Sequence, residues 1–308
     1  MFKKSCTDLT KIPKEQVLKW VKNIETIICD ADGVLWHFTK AIDGAPEVFK
    51  RVTESGRNLF IVTNNSSMPS EAFAKRAQGL GFMIDEDHCR TSSTSIANFL
   101  KNKGMRRKVF VMGEIGIRAE LDKVGIAHME VDEKLDKSMY EFAKELEIDP
   151  DVGAVVIGRD ERYNMARLIR TSAYLRNPDV IVVGTSMDAA YPFDEHRKVI
   201  VGASAMMTSV RALSGRQPLI LGKPNPWILD PLLKCGVIKP DTTLMVGDTM
   251  TADMKFAHNC GFHSLLVGTG VHSFEDAQKI KDSGDKKKKS FIPDTYLPSF
   301  GHLLEFLT

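Results

Sequence analysis

Cysteine is scarce in this sequence and unpatterned. Cys6, Cys29, Cys89, Cys235 and Cys260 are odd in number, widely scattered, and form no Cys-x-x-Cys pair. That excludes a disulfide framework and a cysteine-ligated zinc site, and it fits a reducing compartment, so a cytoplasmic location is expected. Long apolar runs are missing as well. None approaches the ~18 residues needed to span a bilayer, and the basic N-terminus Met1-Phe2-Lys3-Lys4 has no apolar stretch behind it. Neither a membrane partner nor a secretory leader is expected. There is no excess of one charge: 42 Lys and Arg against 40 Asp and Glu leave a net +2, too weak a field to make nucleic acid the main partner. The eight histidines show no metal-ligand spacing, and His37 reads as a packed or solvent-facing side chain. The one charge run, Lys286 to Lys289, reads as a solvated loop and is given no function.

What is present is ordinary globular material: 308 residues, 43% hydrophobic and 27% charged. That length exceeds the usual single domain, so two domains, or one with a large insertion, are expected. Short apolar runs recur, each ending in Asp, Gly or Thr. They include Thr26-Ile27-Ile28 before Cys29-Asp30, Leu59-Phe60-Ile61-Val62 before Thr63, and Val109-Phe110-Val111-Met112 before Gly113. Ala154 to Ile157, Val180 to Val183 and Leu244-Met245-Val246 before Gly247-Asp248 repeat the pattern. Helical spacing fills the gaps, as in 46–52, 70–77 and 163–169. Alternating strand and helix predict an α/β fold on a parallel sheet, whose strands carry the ligand-facing residues at their carboxyl ends. Asp30, Thr63 and Asp248 occupy such ends.

Asp30-Ala31-Asp32-Gly33 delivers two carboxylates two residues apart. Two such groups repel, and they work together only if a cation neutralises one while the other carries a proton. Taken alone the spacing also suits a turn or a calcium loop. A calcium loop, however, wants oxygen ligands where Val34, Leu35 and Trp36 stand. A cysteine nucleophile at Cys29 would want an arginine six positions on, where Leu35 stands. Distant segments add the rest of what phosphoryl transfer needs. Thr63-Asn64-Asn65 offers a hydroxyl and amides, Gly222-Lys223-Pro224-Asn225-Pro226 offers a cation, and Gly247-Asp248 with Asp253 offers further carboxylates.

Asp30-x-Asp32, Thr63, Lys223 and Gly247-Asp248-x4-Asp253 resemble the four motifs of the haloacid dehalogenase superfamily. More narrowly, Cys-Asp-Ala-Asp-Gly-Val-Leu-Trp, Val-Thr-Asn-Asn-Ser-Ser and Gly-Lys-Pro-Asn-Pro resemble the branch that contains 4-nitrophenyl phosphatase, phosphoglycolate phosphatase and pyridoxal phosphatase. The resemblance implies a Rossmann-like parallel-sheet core with an inserted α/β cap domain. Boundaries are expected at 1–103 and 218–308 for the core and 104–217 for the cap. It implies a phosphatase with Asp30 as nucleophile and Asp32 as general acid and base; dehalogenases lack a carboxylate at that second position. Mg2+ would be held by Asp30, the Asp32 carbonyl and Asp248, with Asp253 in a water-mediated or outer role. Thr63, Asn64, Asn65 and Lys223 would bind the phosphoryl group. In the cap, the segment Gly184 to Pro192 is the first candidate to read the substrate, through Asp188 and Tyr191, and 158–163 is the second. The expected partner is a small phosphorylated metabolite, phosphoglycolate-like by the Gly-Thr-x-Met-Asp element, and a homodimer through the cap is expected. A phosphotransferase with the same intermediate and a non-catalytic regulatory protein are the alternatives.

Overall fold

A computed structural model of the chain describes residues 2–131, 133–192 and 199–307. The chain divides into two compact units. The first takes the chain through Thr63, then Glu71–Arg90, then everything from Lys223 onward; the second takes Asn64–Ser70 and Thr91–Gly222. Among the described residues no helix is long and apolar enough to cross a membrane.

The first unit is built on a seven-stranded sheet. Its order is Thr7–Asp8, Thr295–Leu297, His263–Val267, Thr243–Gly247, Thr26–Cys29, Asn58–Thr63 and Cys89–Thr91. From Thr7–Asp8 to Asn58–Thr63 every pairing is parallel. The 26–29 strand lies in the middle, Ile28 opposite Met245 on one side and Phe60 on the other. All four of its residues are buried, as a parallel strand covered on both faces requires. Because the strands run the same way, their carboxyl ends share one edge of the sheet. Asp30 follows the 26–29 strand, Thr63 ends the 58–63 strand, and Asp248 follows the 243–247 strand.

The second unit has its own parallel sheet, in the order Leu219–Ile220, Ile181–Gly184, Val152–Ile157, Lys108–Met112, His128–Met129. Alternate residues serve opposite faces, since successive side chains on a strand point to opposite sides. Val109, Val111, Ala154, Val156 and Val183 join one core cluster; Phe110, Met112, Val155, Ile157 and Val182 join the other. Helices 165–174 and 203–214 supply the second cluster with Leu168, Tyr174, Met206 and Val210. Each buried aliphatic or aromatic side chain contributes roughly 1.5–3 kcal/mol.

The boundary of the second unit differs from the expectation. Helix Ser92–Asn102 presents Ile96, Ala97, Phe99 and Leu100 to the cluster of Val109 and Val156, so residues 91–103 belong with the second unit and not the first. Residues 64–70 go with it too. Ser70 donates its main-chain N–H and its hydroxyl to Glu120 Oε1 at 2.8 and 2.6 Å, and a side chain at Gly116 would strike the carbonyls of Ser66 and Met68 at 2.5 Å. On the other side, Leu219–Ile220 pairs as the edge strand of the second sheet, 218–222 goes with the second unit, and the first unit resumes at Lys223.

Candidate active site

The expected acids and lysine meet at the carboxyl edge of the first unit's sheet. Lys223 Nζ lies 2.7 Å from Asp30 Oδ1 and 2.7 Å from Asp253 Oδ1. Lys223 and Asp253 are fully buried, whereas the Asp30 side chain keeps 15% of its exposure. Asp253 also accepts the Thr249 N–H at 3.0 Å through Oδ2. It sits on a π-turn, Met250–Met254, a distortion that recurs at functional sites. Asp248 Oδ2 accepts the Val271 N–H at 2.8 Å and Oδ1 accepts the Thr249 hydroxyl at 3.1 Å.

Space around Asp248 is reserved by glycines. Gly33 has φ +84°, and a Cβ there would stand 2.7 Å from Asp248 Oδ2; at Gly270 it would stand 2.0 Å away. No side chain fits at either position.

Lys223 pairs with Asp30 and Asp253 while Asp248 stands close to both, so three carboxylates share one ammonium, and burial raises the titration of each acid. Burial, helped by the charge of Asp30, pushes the Asp248 carboxyl up to about 7. Burial also pushes Asp30 and Asp253 up, with Lys223 pulling each back. For Lys223 burial works downward, but the charges of Asp253 and Asp30 outweigh it and raise the ammonium above its ordinary value. Asp30, Asp248 and Asp253 can each offer an oxygen within 4.8 Å of the others. Hard oxygen donors and an unneutralised charge fit a small divalent cation such as Mg2+. The neighbouring Cys29 is not a rival nucleophile, since burial drives its thiol far upward and withholds the thiolate.

The remaining expected residues divide between the units. Asp32 stands in the turn after Asp30, its Oδ1 accepting from Trp36 Nε1 at 3.0 Å, and Thr63 is buried at its strand end. His37 is exposed on a short hairpin. In the second unit Asn64 donates from Nδ2 to Asp188 Oδ2 at 3.0 Å, and its carbonyl accepts the Ser92 hydroxyl at 2.8 Å. Asp188 thus grips the residue that follows Thr63. Asn65 Oδ1 accepts the Ser67 N–H and hydroxyl at 2.9 and 2.7 Å, closing a local turn. Tyr191 lies in the strand Ala190–Pro192, and its side chain falls outside the described residues. The second candidate segment, 158–163, carries a structural ion pair: Asp160 Oδ2 meets Arg167 Nη2 at 2.6 Å, both side chains fully buried.

Comparison with known proteins places the chain in a family. A haloacid dehalogenase-like hydrolase family model matches residues 27–127, and a second, HAD-hydrolase-like model matches residues 220–299. Mouse chronophin is 32% identical over 287 residues, 91% of this chain and 92% of its own. Rat glycerol-3-phosphate phosphatase is 32% identical over 308 residues, 96% of this chain and 95% of its own. The chain belongs to the haloacid dehalogenase-like hydrolases. A 4-nitrophenylphosphatase from Thermotoga maritima shares the fold, with a TM-score of 0.76 at 24% identity over 94% of this chain and 99% of that one. Within the family the chain is an enzyme, a phosphoric monoester hydrolase.

One part of this hydrolase's site escaped the sequence reading. The loop Gly268-Thr269-Gly270-Val271-His272 buttresses the acids from the end of the 263–267 strand. Besides the Val271 N–H on Asp248, Thr269 Oγ1 donates to the Gly33 carbonyl at 2.6 Å and the His272 N–H donates to the Asp248 carbonyl at 3.1 Å. The signal was available, because Leu265-Leu266-Val267 is another apolar run ending in glycine. The loop carries no carboxylate or lysine and so stood out less than its neighbours.

Proposed function

We propose that this hydrolase is a magnesium-dependent phosphatase that hydrolyses a small phosphomonoester through an aspartyl-phosphate on Asp30. The observation that carries the reading is the grouping of Asp30, Lys223, Asp248 and Asp253, with Asp30 the member whose carboxylate retains access to solvent. Asp30 attacks phosphorus, forming an acyl-phosphate bond as the bond to the leaving oxygen breaks. Asp32 gives that oxygen its proton. Asp32 then takes a proton from the water that attacks the phosphoryl group, and Asp30 is returned as carboxylate with release of inorganic phosphate. Lys223, the Thr63 hydroxyl and the Asn64 amide hold the phosphoryl oxygens. Asp30, the Asp32 carbonyl and Asp248 would hold Mg2+, which would supply positive charge against the phosphoryl oxygens. Asp253, committed to Lys223 and to the Thr249 N–H, orients the lysine.

For the substrate, the Gly184-Thr185-Ser186-Met187-Asp188 element supports a phosphoglycolate-like ester. Glycerol phosphate, named for the rat relative, is the first competitor. Release of phosphate from 4-nitrophenyl phosphate, phosphoglycolate, glycerol phosphate, pyridoxal phosphate, nucleotides and phosphopeptides, with and without Mg2+, ranks these. Asp30→Asn abolishes turnover of all of them, and unchanged turnover in that variant sinks the mechanism. Adding an alcohol tests phosphotransfer, since a transferase yields the alkyl phosphate in place of free phosphate.

A further inference from the structure

The turn after Asp30 is organised around an aromatic side chain to which the chemistry above gives no part. The Ala31 carbonyl accepts from the N–H groups of Val34, Leu35 and Trp36 at 3.3, 2.8 and 3.3 Å, winding one tight turn. Asp32 and Trp36, four residues apart, are thereby brought to the same side. The Trp36 side chain is completely buried. Its ring lies 5.6 Å from Phe73 and 5.6 Å from Phe82, and the Arg76 guanidinium sits 5.5 Å above it. Phe82 is braced in turn by Phe49, edge to face at 5.3 Å. Packed on these sides, the indole has little freedom to rotate.

An indole carries a single polar atom, which can donate and cannot accept, and burying it without a partner is costly. The partner here is Asp32: Nε1 donates to Oδ1 at 3.0 Å. The donor is fixed by packing, so the acceptor is fixed by the donor. The carboxyl oxygen that accepts an N–H is favoured as the carbonyl oxygen of the acid form, which favours the proton on the other oxygen.

We infer that Trp36 is a positioning residue for proton transfer by Asp32. It clamps Oδ1 and reserves Oδ2 as the oxygen that gives a proton to the departing alkoxide and later takes one from water. The inference rests on the reading of Asp32 as general acid and base. Trp36 itself touches no reacting atom. Without the clamp Asp32 is free to turn, and the proton is presented in the wrong place for part of the time.

The test uses two esters that differ in their need for an acid. 4-Nitrophenolate departs with little help, whereas an alkoxide must be protonated as it leaves, and a positioned acid is worth about 100- to 10,000-fold there. Measured for 4-nitrophenyl phosphate and for the best alkyl phosphate of the screen, kcat/KM covers every step through departure of the alcohol. The proteins are wild type, Trp36→Phe, and the full chain carrying benzothienylalanine at position 36, which keeps the ring's shape and lacks only the N–H. In both variants kcat/KM for the alkyl ester falls at least ~10-fold further than for the aryl ester. Parallel losses, or no loss, in the benzothienylalanine protein overturn the inference. Phe82→Leu loosens the packing that holds the indole while keeping the N–H, so it is expected to shift the ratio of the two esters in the same direction as the Trp36 variants but by less; a shift as large as theirs, with the N–H still present, overturns the inference too. Asp32→Asn separates this inference from its premise. If Asp32→Asn spares alkyl esters, the reading of Asp32 fails; if it discriminates and the Trp36 variants do not, only the role of Trp36 fails.

Discussion

Lys223→Met keeps most of the length of the side chain and removes its charge from between two carboxylates, each 2.7 Å away. Taking one partner from a buried ion pair costs about 3–5 kcal/mol, because the other charge stays behind without compensation. At 2–4 °C per kcal/mol for a unit of this size, a loss near 4 kcal/mol lowers the melting temperature by roughly 8–16 °C. The pH dependence gives the sharper test. In the wild type the folded pKa of Lys223 lies above its ordinary 10.5, since Asp253 and Asp30 outweigh burial. The stabilisation it contributes is therefore fully present below 10.5 and constant between pH 5 and 8. In the variant Asp30 and Asp253 lose the ammonium that pulled them down, and their carboxyls hold protons to higher pH than before. An acid with a raised folded pKa stabilises at low pH and loses that stabilisation as pH rises. The deficit must therefore be larger at pH 8 than at pH 5. Thermal unfolding of both proteins in EDTA, followed by circular dichroism at the two pH values, measures it. A deficit that is constant, or larger at pH 5, would show that the lysine is not compensating ionised carboxylates.

Three further outcomes are expected. Magnesium raises the wild-type melting temperature more at pH 7.5 than at pH 5, because Asp248, held up to about 7 by burial and by Asp30, must lose its proton to ligate. Equal shifts at both pH values would remove it from the ligand set. Gly270→Ala places a Cβ 2.0 Å from Asp248 Oδ2 and is expected to raise the magnesium concentration for half-maximal phosphate release by about 10-fold or more, as loss of a supporting group around a metal ligand does; an unchanged requirement refutes the assignment of Asp248. Arg167→Leu leaves Asp160 buried without its partner and is expected to destabilise the second unit by about 3–5 kcal/mol in urea melts, part of which Asp160→Asn restores in the double variant.

Much of the first unit can be read from the chain because parallel strands write themselves plainly. The runs 26–29, 58–63 and 243–247 are almost wholly apolar and end abruptly in the residues that meet at the sheet's edge. Asp30, Thr63 and Asp248 follow from that rule. Two things do not follow. The helix 92–102 has its apolar face whichever sheet receives it, so its allegiance to the second unit is decided by partners such as Val109 and Val156, brought near only by the fold. Asp188 and Asn64 are 124 positions apart, and nothing local announces that the carboxylate of one accepts from the amide of the other. Arg167 hides in the same way: an arginine on an amphipathic helix is usually drawn to solvent, and only the structure shows it fully buried against Asp160.

The order of the central strands also bears on synthesis. The 26–29 strand pairs on one side with 58–63, but its other neighbour, 243–247, is made more than two hundred residues later. At roughly 5–20 residues per second the ribosome takes some tens of seconds to close that interval. During it the stretch that forms the second unit, complete at Gly222, is fully synthesised, while the strand that ends at Asp30 has an open edge. Until the 243–247 strand arrives, the nascent chain carries Asp30 but neither Asp248 nor Asp253. A ribosome stalled before that point would hold a hydrophobic sheet edge exposed to chaperones and to other chains, so the discontinuous layout that assembles this site last is also where its biogenesis is most vulnerable.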